Sequence, residues 1–286
     1  MDEIIYTRSK KFKLPDKKSV YYEKLKALEN LNIGNQVCMR NGKPMRERFY
    51  ICPKLTKKAL PSVTTIMGKQ PVDDGLKDWK MQVGELNARK IFRNSGVVGG
   101  IVHEKIEEAL INKPVILSGQ GIKEQLKFLK PFDVDSMYLI HGLFMGMQRF
   151  FDHINQIFAI ESKLIDDELG TGGRCDVIAE YKGVVSVIDW KTKRSKRKKE
   201  WLGKEICQAH TYGHMFEKLT GIKTSQVVIL CSNYDMTTDE FIDTNRVDNI
   251  RLMKDYVAVA RKSHPHLFEQ SFTNNSQFPE ELSKGL

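Results

Sequence analysis

Two apolar runs, Cys175 to Tyr181 and Val184 to Trp190, are separated only by Lys182-Gly183. β-prone runs this close read as a hairpin, and a two-residue turn ending in glycine matches the twist of the strands it joins. Tyr181 then lies opposite Val184, which sets Asp176 opposite Asp189 and Arg174 opposite Lys191. Side chains alternate along a strand, so Lys191 shares a face with both aspartates. A three-residue loop with a glycine bulge, which Tyr181-Lys182-Gly183 also permits, would send the aspartates to opposite faces.

The remaining elements follow from periodicity. Ile157 to Ile165 is β-rich, and Gln226 to Cys231 is a continuous apolar strand. Helical spacing marks 76–94, then Ile101 to about Ile111 after the Gly99-Gly100 break, then 121–130, about 134–154, 201–218 and 246–262. Helix, three strands, helix, strand is the order of an α/β chain with a mixed central sheet flanked by helices. The first sixty residues add a short amphipathic helix, Val20 to Asn30, with Tyr21, Leu25 and Leu28 on one face. Phe49 to Pro53 reads as one strand of a hairpin turning at Asn41-Gly42. At Pro61–Gly68, Ser62, Thr64 or Thr65 can cap a helix, or the free N–H groups there can hold a phosphate.

Charge narrows the partners. The 286 residues carry 46 Lys+Arg against 36 Asp+Glu, a net +10. That excess attracts polyanions without saying which one or what is done to it. No run approaches the eighteen apolar residues of a membrane span, so no membrane partner is expected. The start Met1-Asp2-Glu3-Ile4-Ile5-Tyr6 has neither the apolar run of a signal peptide nor the composition of a transit peptide. The expected compartment is the cytoplasm, of a bacterium or a phage-infected host. The five cysteines, Cys38, Cys52, Cys175, Cys207 and Cys231, have no CxxC spacing and read as reduced thiols rather than disulfides or a zinc ribbon.

Chemistry concentrates at the hairpin. Two carboxylates about 5 Å apart at Cβ repel each other in an apolar sheet, and a hard divalent cation removes that cost. A lysine two residues on completes a site able to orient water and stabilise charge on a phosphate. Solvated charges at a strand end are the plainer reading. On the helix after Gly100, His103 and Glu107 share a face at i and i+4. This is half a zincin motif without its second histidine, so a metalloprotease is not expected. Gln208 and Tyr212 lie four apart on a later helix and are ambiguous alone.

Taken in order, these parts resemble the PD-(D/E)xK nuclease superfamily in its RecB-like exonuclease branch, over about residues 60 to 262. The matching parts are Gly100 with His103, Glu161, Gly173 with Asp176, Asp189 with Lys191, and Gln208 with Tyr212. Ser186 to Thr192 is most similar to the group of mitochondrial genome maintenance exonucleases and their phage and bacterial relatives. The resemblance implies a restriction-endonuclease-like core with added N-terminal helices. Composition marks a basic extension at 1–59 and a polar tail at 269–286, on either side of the nuclease domain expected at 60–268. The resemblance makes Asp176 and Asp189 metal ligands, with Glu161 and His103 assisting, for one or two ions of Mg²⁺ or Mn²⁺. Lys191 becomes the catalytic lysine, and Gln208 and Tyr212 orient the site or the DNA. Some members of the branch hold an iron–sulfur cluster, but the scattered cysteines do not match that arrangement and none is expected.

Seven of the nine residues from Lys191 to Lys199 are basic. Such a run serves as a solvated loop or a localisation signal elsewhere. At the exit of the catalytic strand, Lys193, Arg194, Lys196, Arg197, Lys198 and Lys199 read as a phosphate-tracking loop, with Thr64, Thr65 and Arg174 as further DNA contacts. The expected activity is a metal-dependent DNA exonuclease acting on single strands or DNA ends in replication, recombination or repair, with a replication or recombination protein as a further partner. The rivals are a structure-selective or duplex endonuclease and a non-catalytic DNA-binding accessory protein.

Overall fold

The Lys182-Gly183 turn closes the central hairpin in a computed structural model of the chain, which describes residues 4–71, 74–117, 122 and 134–271 (134 and 135 by backbone only). Both turn residues take positive φ, 51° and 81°, as a two-residue turn of this type requires. The hairpin joins β2 (Thr171–Tyr181) to β3 (Val184–Lys193) inside a five-stranded sheet that also contains β1 (Ile154–Asp166), β4 (Gln226–Asn233) and β5 (Thr238–Asp243). The spatial order is β5-β4-β3-β2-β1. Only the β3/β4 pair is parallel, so the sheet is mixed. Every residue of β4 is buried, which accounts for its unbroken apolar run.

Helices cover both faces. The described helices are α1 (Tyr22–Asn30), α2 (Val63–Gly68), α3 (Asp74–Val83), α4 (Glu85–Leu110), α5 (Val134–Gln148), α6 (Gly203–Thr220) and α7 (Arg246–Ser263). Alternation along β3 assigns the two cores. Val187 packs with Met215 and Phe216 of α6 and Met253 of α7. Ile188 and Trp190 pack with Val102 and Ile106 of α4 and Phe144 and Met147 of α5. The parallel β3/β4 pair needs a crossover, and α6 is that crossover.

Several expected boundaries shift. The helix read at 76–94 and the one starting after Gly99-Gly100 divide elsewhere, at Gly84, whose φ is 80°. Residues 85–110 then run as one helix through both glycines. Gly99 stays helical because α4 crosses close to β3: a Cβ there would lie 3.1 Å from Thr192 Oγ1. The helix at about 134–154 ends at Gln148 and is followed by a 3₁₀ turn, Phe151–His153. The helix expected at 121–130 lies outside the described residues apart from residue 122, as does 272–286 of the tail.

At the other end, α1 lays Leu25 and Leu28 on the core, with Tyr21 beside them. The Asn41-Gly42 turn is formed between Met39–Arg40 and Lys43–Pro44, and the same two arms continue as Gly34–Gln36 paired with Phe49–Ile51. Ser62 caps α2, its Oγ accepting the Thr65 N–H at 3.0 Å.

Candidate active site

Strand β2 brings the acids together. Its pairing with β1 is in register at Ile160/Val177 and again at Ser162/Cys175, so Glu161 and Asp176 stand opposite each other between those pairs. Glu161 itself has φ 47°, the left-handed region, which interrupts the strand at this one residue. On the other side of β2, the β3 pairing holds as expected from Tyr181/Val184 to Val177/Ile188 and stops there. The next residues would be Asp176 and Asp189. The strands part instead, and Asp176 Oδ2 accepts the Trp190 N–H at 3.0 Å. Acids from three adjacent strands thus converge where the sheet opens.

The parting of the strands corrects one expectation. Arg174 does not reach Lys191. It pairs with Lys163 of β1 in the ladder, and its guanidinium meets Glu161 at 2.8 Å. Lys191 Nζ meets Asp189 Oδ2 at 2.6 Å instead.

Helix α4 closes the site from one face. His103 Nδ1 lies 3.5 Å from Asp176 Oδ2. His103, Glu161 and Asp176 each offer a ligand atom, all within 4.8 Å of one another. Asp189 is nearly buried and stays outside that trio, held by Lys191; its Oδ2 makes no hydrogen bond of good geometry among the described residues. Helix α6 closes the opposite face. The Tyr212 ring lies over Gly173, where an added Cβ would come within 2.3 Å of Cε1, and Gln208 Nε2 donates to the Tyr212 hydroxyl at 2.9 Å. The glycine three residues before Asp176 is therefore the space the tyrosine occupies.

Electrostatics favour a cation here. Burial pushes the Glu161 carboxyl up to about 7; Arg174 opposes this, while Asp176, Glu107 and Asp189 add to it. Asp189 is also raised, by burial first, with Lys191 opposing and Asp176 adding to the shift. Burial would depress Lys191, but the Asp189 and Asp176 carboxylates raise it overall. Burial and mutual repulsion raise Glu161 and Asp189 above the usual carboxylate range, a cost that a divalent ion would relieve. The two carboxylates and one imidazole of the trio form a donor set that could hold a hard divalent cation. Cys175 is buried and its thiol is pushed up, so it is no ligand in waiting. All five cysteines are free and buried.

Thr64 is exposed and accepts from Arg48 at 3.0 Å, and Thr65 Oγ1 accepts from Ser62. The basic run leaves β3 along the sheet edge. Lys193 pairs with Glu205 at 2.7 Å, Lys196 with Asp239 at 3.7 Å and Lys199 with Asp243 at 3.1 Å. Arg194 stacks on Tyr234, and Arg197 and Lys198 flank the exposed Trp201. Trp190, Tyr212 and Phe216 are core residues. Sequence reasoning missed Arg48, whose place beside Thr64 is set by the Arg48 carbonyl accepting the Ser62 N–H at 2.8 Å. It also missed Asp239 and Asp243 of β5, which pair with Lys196 and Lys199.

No described helix is long and apolar enough to cross a membrane. No model of a known protein family matches the chain. A crystal structure from Eubacterium rectale, of a protein proposed to be an exonuclease, aligns over 61% of this chain and 66% of its own at 14% identity; its TM-score of 0.39 is too low to carry an argument. In sequence, the chain is 32% identical over 146 residues to human mitochondrial genome maintenance exonuclease 1, covering 48% of this chain and 38% of that one. The chain thus spans well under half the length of this relative, and over that segment it is a distant homologue of a nuclease.

Proposed function

We propose that this protein is a metal-dependent DNA exonuclease with a PD-(D/E)xK core, acting on single-stranded DNA or DNA ends. The observation that carries the reading is the junction itself: Glu161, Asp176 and Asp189 on three adjacent strands, with His103 over them and Lys191 on Asp189. Residues 60–268 form the nuclease domain in this reading, with 1–59 as a basic extension and 269–286 as a polar tail. The expected setting is a bacterial or phage-infected cytoplasm, in replication, recombination or repair. No iron–sulfur cluster is part of it.

Glu161, Asp176 and His103, with Asp189 beside them, would hold one or two Mg²⁺ or Mn²⁺ ions. A bound ion supplies Lewis acidity toward the scissile phosphate and lowers the pKa of water nearby. Lys191, fixed by Asp189, places a positive charge where negative charge grows on the phosphate. Gln208 and Tyr212 brace β2 through Gly173 and so hold Asp176 in position. Arg174, Thr64, Thr65 and the basic run Lys193, Arg194, Lys196, Arg197, Lys198 and Lys199 contact the DNA backbone.

The test is digestion of end-labelled linear and circular single strands with Mg²⁺ or Mn²⁺, with the Asp189→Ala protein alongside. The reading expects shortening of the linear strand, an intact circle, and no cleavage in excess EDTA. A cut circle would make the protein an endonuclease. Metal-independent binding with no hydrolysis under any divalent ion would make it a binding protein.

A further inference from the structure

Beside the acid junction, between α1 and β1, lies a cavity of about 320 Å³ that shares Glu161 with the junction. We propose that it receives one unpaired nucleobase of the substrate strand, next to the nucleotide whose phosphate sits at Glu161; this rests on the nuclease reading above. About half of the lining is apolar and comes from two directions, Leu28 and Ile33 on the α1 side and Phe158 on β1. Phe158 is held edge-on by Tyr21, with ring centroids 5.0 Å apart. The rest of the lining is polar: Asn32 and Ser162, and the charged Glu29, Glu161 and Lys163. Ser162 Oγ donates to the Ile160 carbonyl at 3.3 Å, which leaves its lone pairs free to accept.

Apolar surfaces beside polar ones, at the low end of ligand-pocket volumes, suit a flat heterocycle with polar edges; two carboxylates against one lysine suit a charged phosphate less. The phosphate has its own place at Glu161, where Arg174 and the acid junction gather the charge. A base stacked in a duplex shows only its edges and cannot lie in this open-mouthed pocket unless it is flipped out, so the pocket favours single strands or frayed ends. Substrate choice would then reside partly in the N-terminal helix α1, outside the elements that carry the acids.

The test is a walk of single abasic residues along an otherwise constant single-stranded oligonucleotide, with kcat/KM measured in Mn²⁺ for each. One position adjoining the cut should lose about 5- to 150-fold, the worth of one stacked base. Ala159→Leu, which fills the cavity, should lower cleavage of the intact strand by a similar factor and respond no further to the abasic residue at that position. Equal cleavage at every abasic position, or undiminished abasic sensitivity in Ala159→Leu, overturns the proposal. Should Ala159→Leu fail to fold by circular dichroism, the walk on the unaltered protein decides alone.

A binding arm in EDTA separates this proposal from the nuclease reading. A 2-aminopurine moved along the same oligonucleotide should be quenched at one position by the unaltered protein and not by Ala159→Leu. Quenching with no cleavage of any strand would sink the nuclease reading and keep the base pocket. Cleavage without positional dependence in either arm would do the reverse.

Discussion

At the scale of single residues, Gly173 is the most exacting position in the site. Its missing Cβ is the space filled by the Tyr212 ring. Gly173→Ala should therefore cost about 1–3 kcal/mol of stability by overpacking against a buried ring. It should also lower nuclease activity more than Tyr212→Phe, because it moves β2 beneath Asp176. Chemical denaturation and kcat/KM on the same preparations check both parts. Asp189→Ala should reduce kcat by on the order of 10²–10³-fold or more while DNA binding by anisotropy stays largely intact. Full activity in that variant would sink the proposed chemistry. These two positions differ in how readable they are. Asp189 and Lys191 stand out as charges interrupting an apolar strand, whereas nothing local marks Gly173 as the seat of a side chain from a later helix. The left-handed backbone at Glu161 is equally silent, because glutamate carries no preference for it.

Elements show the same division. The register of β2 on β3 is legible because two residues of turn leave one pairing. The parting of those strands beyond Ile188 is not, since it depends on the Asp176 carboxylate taking the Trp190 N–H. Strand β5 is hard to see in the sequence because Thr238–Asp243 is half-polar and its burial is only partial. That strand also changes the reading of the basic run. Lys196 and Lys199 are paired with its Asp239 and Asp243, while Arg197 and Lys198 lie against Trp201. Arg197→Gln with Lys198→Gln should therefore weaken DNA binding and flatten its salt dependence by up to about one unit for each phosphate no longer neutralised. Lys196→Gln with Lys199→Gln should change the slope less. Fluorescence anisotropy between low and moderate salt measures both, and equal slopes in all three proteins would take this run off the DNA. The break at Gly84 rather than Gly99-Gly100 has a physical reason: Gly99 marks a close crossing over Thr192 within the helix, and the positive φ falls at Gly84.

Across the whole molecule, Asp166 ties the end of β1 to α6. Its buried carboxylate meets Lys218 at 2.8 Å and His214 at 3.4 Å and accepts the Leu169 N–H at 3.2 Å. Burial alone would raise its pKa, but these partners hold it well below the usual carboxylate range. The stabilisation is thus present in full above the unfolded-state value, near 4, and is lost as pH falls below it toward the lowered folded-state value. Asp166→Ala should cost about 1–3 kcal/mol at neutral pH, because it unpairs the Leu169 N–H while the partly exposed Lys218 regains water. Its stability should also fall less steeply than that of the unaltered protein below about pH 4. Thermal melts across that range provide the check. Metal binding should appear in the same melts: Mn²⁺ should raise the Tm of the unaltered protein, and Glu161→Gln with Asp176→Asn should abolish the rise.

The crossover through α6 has a consequence for the chain during synthesis. The parts of the junction leave the ribosome in the order His103, Glu161, Asp176, Asp189, Tyr212. Strand β3 is flanked on both sides only once β4, ending at Asn233, has emerged to pair with it. A nascent chain arrested in the basic run would carry Asp176, Asp189 and Lys191 without the helix that braces them or the strand that flanks them. Such a chain would already hold His103, Glu161 and Asp176, but the brace on β2 and the second flank of β3 would be added only once Tyr212 and then Asn233 have left the ribosome.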